Sequence, residues 1–266
     1  VHTMEDITVE FLGEEPVAAR VIASEPRADI SLIQVSSVPP DARVAKLVDS
    51  DPIRVGDAIF IVGAPYGLAH SLSAGIISAR WEPDTVTRDF PLAEFFQTDA
   101  VINTGNSGGP MFSRAGDLIG TVSHNITKWG GSEGLGFVVT ANTVKKLLID
   151  GTRRWYGLDL LLITGSIAET LKVPQAGGFL VKQVAKDSVA ARMGLKGGDR
   201  LGIVEGQQIV VGGDILLSVQ GMPVTSNADM AKVLKMLETL KPGDTLHVKV
   251  LRDEKPVDLS MKWAGW

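Results

Sequence analysis

Asn103-Thr104-Gly105-Asn106-Ser107-Gly108-Gly109-Pro110 is the stretch on which the reading of this chain turns. A single serine sits in a run of small residues, and Met111-Phe112 follows. Glycines at 105, 108 and 109 let the backbone take turns that a Cβ would obstruct. Such a segment can expose the Ser107 hydroxyl while main-chain N–H groups converge beside it, as a nucleophile with an oxyanion hole requires. A plain Gly-Asn-Ser-Gly-Gly turn accounts for the same residues. The surrounding sequence has to choose between the two.

Working outward, 266 residues exceed the usual size of one domain and point to two. Hydrophobic residues at 44% and charged residues at 21% are those of a globular protein with a proper core. The net charge is −5, and no basic stripe with interleaved aromatics occurs, so nucleic acid is not expected as a partner. The absence of cysteine excludes disulfides, thiolate catalysis and Cys-type zinc sites. His2, His70, His124 and His247 lack metal-ligand spacing, so neither a metal nor another cofactor is expected. No apolar run approaches the roughly 20 residues of a membrane span. The chain opens on Val1-His2-Thr3 without an initiator Met, and is read as lacking its beginning.

Up to about residue 140 the pattern is short β-like runs between turns: Ile7 to Leu12, Val17 to Ile22, Ile30 to Val35, Ala58 to Val62, Ile76 to Ala79, Leu118 to Val122 and Leu135 to Val139. Many short strands predict a sandwich or barrel. Thr143 to Ile149 predicts a short closing helix, and Gly151-Thr152-Arg153-Arg154 a boundary. The second half mixes strands with two helices. Ser188 caps Val189 to Met193, which Gly194 ends. Ser226 with Asp229 opens a longer helix through Leu237, whose Met230, Val233, Leu234 and Leu237 share one face. Two Gly-Gly-Asp turns, at 197–199 and 212–214, flank Leu201 to Val211, which reads as an inserted β-hairpin at about 200–212.

Three segments together resemble one family. Phe96 to Pro110 resembles the nucleophile segment of HtrA/Deg-type serine proteases nearly throughout. Pro26-Arg27-Ala28-Asp29-Ile30-Ser31-Leu32-Ile33 resembles the segment bearing the triad aspartate, and Gly63-Ala64-Pro65-Tyr66-Gly67 with Ser73 to Ser78 resembles the strand–turn–strand between the two barrels. The fold implied is mainly β: a trypsin-like double β-barrel over residues 1–152, its N-terminal barrel incomplete, then an α+β PDZ domain over residues 153–266.

By this resemblance Ser107 is the nucleophile, Asp29 the carboxylate that orients the catalytic imidazole, and the N–H groups of Gly105, Asn106 and Ser107 frame the oxyanion hole. Thr121, Val122, Ser123 and His124 match the strand beside the primary specificity pocket, where no Asp stands to receive Lys or Arg. His124 has two readings, a polar strand residue facing solvent or a substrate-facing one. The base departs from the pattern. His2 precedes Asp29 by a few residues too few, and ungapped alignment through Ile7-Thr8-Val9 puts the catalytic position just before Val1; both placements stay open. In the PDZ half, Tyr156, Gly157, Leu158, Asp159 and Leu160 match the carboxylate-binding loop and strand. Met230, Val233 and Leu234 match the facing helix, at least one of them serving only the core.

The resemblance implies an ATP-independent serine endopeptidase of protein quality control. It would cleave unfolded or misfolded polypeptides through a Ser-His-Asp triad and recognise peptide C-termini at the PDZ groove. It also implies a homo-oligomer, a trimer or multiple of trimers, in the periplasm or cell envelope. A catalytically incompetent chaperone-like or peptide-binding protein on the same scaffold is the alternative, and an esterase using the same serine a weaker third.

Overall fold

The computed structural model describes residues 2–4, 6–87, 90–151, 155–204 and 206–265. The chain divides into two compact units, Ile7–Arg154 and a second made of Val1–Asp6 with Trp155–Trp266. The expected boundary residues 152–154, and Glu205 in the hairpin turn, lie outside the described residues.

The first unit opens with an antiparallel sheet of β1 (Ile7–Val9), β2 (Val17–Glu25) and β3 (Ile30–Val35). Six strands then close a barrel: β4 (Ala58–Gly63), β5 (Ser71–Trp81), β6 (Phe95–Thr98), β7 (Pro110–Ser113), β8 (Leu118–Asn125) and β9 (Gly136–Thr140). Their order around the barrel is β4-β5-β6-β9-β8-β7. Alternate side chains point inward, so Ile59, Ile61, Ile77, Phe96, Met111, Ile119, Val122 and Val138 fill the interior. Each such side chain contributes about 1.5–3 kcal/mol by leaving water. A second cluster joins Ala23, Ala28 and Ile30 of the three-stranded sheet and its turn to Phe95, Phe137 and Val139 of the barrel. That cluster fixes where Asp29 sits relative to β8.

The closing helix starts earlier than expected. α1 (Ala141–Val144) begins because Thr140 caps it, its side chain accepting from Thr143 N, and one wider turn carries on through Lys145–Ile149.

The second unit holds a sheet of β10 (Leu158–Thr164), β11 (Gly177–Val184), β14 (Ile215–Val219), β16 (Thr245–Arg252) and β17 (Lys255–Lys262), in that order. A short β15 (Met222–Pro223) pairs with β14, and β12 (Arg200–Val204) with β13 (Gln207–Val211) forms the separate hairpin. The helices are α2 (Gly165–Thr170), α3 (Val189–Met193) and α4 (Asn227–Leu237). Phe179, Val181, Leu216, Val233, Val250 and Trp263 anchor the core. The first residues of the chain group here rather than with the barrel. Trp155 Nε1 donates to His2 O at 2.8 Å, and Thr3 Oγ1 to Gln183 Oε1 at 3.0 Å. The expected division ran 1–152 and 153–266; the compact units differ from it in where residues 1–6 group.

Candidate active site

Ser107 lies between β6 and β7, in a segment whose shape is set by its own backbone. Asn106 N donates to Asn103 O at 3.0 Å, Gly109 N to Asn106 O at 2.9 Å, and Gly108 N to Val122 O at 2.8 Å. Gly105 adopts φ +104°, and a Cβ there would fall 2.1 Å from Ala64 O. Only glycine satisfies both conditions. The segment leaves Ser107 exposed, with its Oγ donating to Ser123 O at 2.8 Å.

Asp29 ends a one-turn 3-10 helix, Pro26–Ala28, with its N–H donating to Pro26 O at 3.1 Å. It sits in the left-handed region at φ 55°, ψ 38°, which Asp tolerates better than most residues. Ala28 and Ile30 are buried on either side, so the exposed carboxylate is carried on an anchored turn.

Ser123 joins the two. Its Oγ donates to Asp29 Oδ2 at 2.5 Å while its carbonyl receives the Ser107 hydroxyl. The pairing of β8 with β9 slips here by one residue, Val122 facing Val138 and His124 facing Phe137. Ser123 is the extra residue, and such a bulge re-aims side chains locally. His124 is half-buried among aromatic side chains. Its ring stacks on Phe137 (centroids 5.1 Å, 14°), meets Phe95 edge-on (5.5 Å, 88°) and lies tilted against Phe90 at 5.6 Å. Its Nδ1 is 2.9 Å from Ser123 Oγ.

Two expectations change. Asn106 N–H is taken by Asn103 O, so it is not available to an oxyanion; the N–H groups of Gly105 and Ser107 have no acceptor among the described residues. Val122 is 2% exposed, and its N–H and C=O bond Gly109 O and Gly108 N, so it faces the barrel core rather than a substrate. The Thr121 main chain is paired on both sides, opposite Pro110 and Val139. Of the four β8 positions, Ser123 and His124 stand at the Ser107–Asp29 end. The Ser123–Asp29 bond had no local signal, because its partners are 94 residues apart.

In the second unit, Gly157 has φ +68°, and a Cβ there would lie 2.2 Å from Ser188 Cβ. Tyr156 O and Gly157 O accept from Ala190 N and Ala185 N at 3.1 and 2.8 Å, which clamps the loop to α3 and the turn before it. β10 is an edge strand, paired to β11 alone among the described residues. Asp159 is held by Lys182 at 2.8 Å. Val233 is 1% exposed and serves the core, whereas Met230 and Leu234 on α4 are half-buried with Leu158 and Leu160 of β10.

Residues 1–120 match the trypsin-like peptidase domain, and residues 166–262 the PDZ domain. The probable periplasmic serine endoprotease DegP-like of Pseudomonas putida is 31% identical over 270 residues, covering 98% of this chain and 51% of the relative. The periplasmic serine endoprotease DegP of Escherichia coli is 32% identical over 262 residues, covering 96% and 51%. A solved structure, HtrA-type protease AlgW with decapeptide, matches at TM-score 0.50 and 27% identity, covering 98% of this chain and 75% of that one. This chain belongs to the HtrA/Deg family. It spans about half the length of the curated relatives it matches. The trypsin-like match falls mostly in the first unit and the PDZ match in the second.

Proposed function

We propose that the chain is the protease–PDZ portion of an ATP-independent serine endopeptidase acting on unfolded or misfolded polypeptide in the periplasm or cell envelope. One observation carries the reading: the Ser107 hydroxyl and the Asp29 carboxylate both bond Ser123 and so share one end of β8. An imidazole between them takes the Ser107 proton as Oγ attacks the scissile carbonyl, then passes it to the leaving amine. Asp29 holds that imidazole in the right tautomer and stabilises its charged form. The N–H groups of Gly105 and Ser107 receive the developing oxyanion. Water then releases the acyl group from Ser107 and restores the hydroxyl. His2 and a histidine ahead of Val1 in the longer protein are the two candidates for the base.

The PDZ unit, on this reading, docks a peptide C-terminus at Tyr156 to Leu160, with the peptide added as a strand along β10. The open edge of β10 and the half-buried Met230 and Leu234 support that reading. So does a relative solved with a decapeptide. Assembly into a homo-oligomer, a trimer or a multiple of trimers, belongs to the same proposal.

Hydrolysis of unfolded casein by the longer protein tests the reading. Ser107→Ala is expected to lower kcat on the order of 10⁶-fold. His2→Ala abolishes cleavage if His2 is the base and leaves it intact if the base precedes Val1. Binding of casein without serine-dependent cleavage would replace the endopeptidase with a chaperone-like binder.

A further inference from the structure

We propose that His124 is a positioning residue for the charge network of Asp29, acting through the Ser123 hydroxyl. The inference rests on the reading of Asp29 as the ionised carboxylate of the catalytic site. An ionised carboxylate only accepts hydrogen bonds, and a serine hydroxyl has one proton to give. With Ser123 Oγ 2.5 Å from Asp29 Oδ2, that proton is on the Asp29 side. The contact of 2.9 Å between Ser123 Oγ and His124 Nδ1 then runs the other way, Nδ1–H donating to Oγ. The three groups form one directed chain, from imidazole N–H to hydroxyl to carboxylate.

The backbone is shaped for this contact. In a regular strand, neighbouring side chains point to opposite faces, so Ser123 and His124 would not meet. The one-residue slip between Val122 and His124 in the β8–β9 pairing removes that alternation. The ring is then fixed from several sides, stacked on Phe137, edge-on to Phe95 and tilted against Phe90. Aromatic packing of this kind sets ring orientation, and a polar ring among apolar ones is costly unless its nitrogens are bonded. A serine hydroxyl otherwise rotates among staggered positions. A donor held at Nδ1 occupies one Ser123 lone pair and selects the rotamer that aims its proton at Asp29.

The test uses the longer, proteolytically active protein. His124→Phe fills the aromatic cage and removes the donor. The expected result is a drop in kcat of about tenfold with KM unchanged, the rate equivalent of one ordinary hydrogen bond. Asn places its amide N–H where Nδ1–H was, so His124→Asn is expected to recover most of the loss. In a Ser123→Ala background, His124→Phe is expected to change nothing further. ¹⁵N NMR of the Ser107→Ala protein is expected to show His124 protonated at Nδ1. An Nδ1 without a proton overturns the proposal. So does an unchanged kcat in His124→Phe while Asp29→Asn is crippled, which would leave the reading of Asp29 intact. An Asp29→Asn protein as active as its parent instead removes that reading, and the catalytic role of His124 with it.

Discussion

Asp29 and Asp229 each accept a serine hydroxyl, and the fold reaches them by opposite routes. Asp229 Oδ2 takes Thr225 Oγ1 and Ser226 Oγ, each at 2.8 Å, from residues four and three positions back on the same segment. Asp29 Oδ2 takes Ser123 Oγ at 2.5 Å from a residue 94 positions away. The first contact needs only the start of α4, because the geometry of a helix N-terminus brings N-cap and N3 side chains together. The second needs the three-stranded sheet, its 3-10 turn and a bulged β8 all in place. A local carboxylate caps the start of a helix; a non-local one reports that a whole unit has closed, and is available for chemistry.

Asp29→Asn breaks the comparison most sharply. Its expected cost is about 10⁴-fold in kcat, because an amide cannot hold the catalytic imidazole in its working tautomer. Stability should shift by no more than the ~1 kcal/mol of one hydrogen bond, as asparagine still accepts from Ser123. Steady-state kinetics beside urea unfolding checks both halves, and a loss below tenfold would reduce Asp29 to a turn residue. Asp214 supplies the intermediate case. Its buried carboxylate takes Arg252 Nε and Nη2, both at 2.7 Å, and Lys196 N at 2.9 Å. Asp214→Ala strands a mostly buried guanidinium, and about 3 kcal/mol should be lost, the low end for a broken buried pair. Denaturant unfolding reads it directly. Activity should be untouched under conditions where the protein stays folded.

The same division explains what the sequence made legible. α3 and α4 run as expected, from Ser188 to Gly194 and from Ser226 through Leu237, because caps are local chemistry. α1 starts two residues early because the cap is Thr140, which reads from sequence as a strand residue. β6 and β7 went unpredicted: each has four residues, and β7 opens on Pro110. The two Gly-Gly-Asp triplets are alike in sequence, yet Asp199 is 79% exposed and Asp214 fully buried. Ser107 and Asp29 stand out in the sequence as candidates because each sits in a short turn of distinctive composition. The Ser123 bond and the cage around His124 were not, since a one-residue slip in strand pairing leaves no local pattern. Nor was the grouping of His2 with the C-terminal unit, which depends on Trp155 far along the chain.

The smallest effect belongs to Asp229, and its sign follows from the caps. Hydrogen bonds from Thr225, then Ser226, then Lys232, lower its pKa from 3.8 to about 2. A carboxylate whose folded pKa lies below its unfolded value contributes stability that is present above the unfolded value and lost as pH falls through the folded one. The window is therefore pH 3.8 down to about 2. Asp229→Asn removes the charge that titrates there while leaving an oxygen to accept from Ser226. The difference in unfolding free energy between parent and variant should be constant above pH 4.5 or so and shrink as pH drops to about 2. Other carboxylates titrate in the same range, but they do so in both proteins and cancel in the difference. A difference that stays flat across that interval would mean the hydroxyls of Thr225 and Ser226 stabilise the charged and neutral side chain equally. The contrast with Asp29 would then rest on distance along the chain alone.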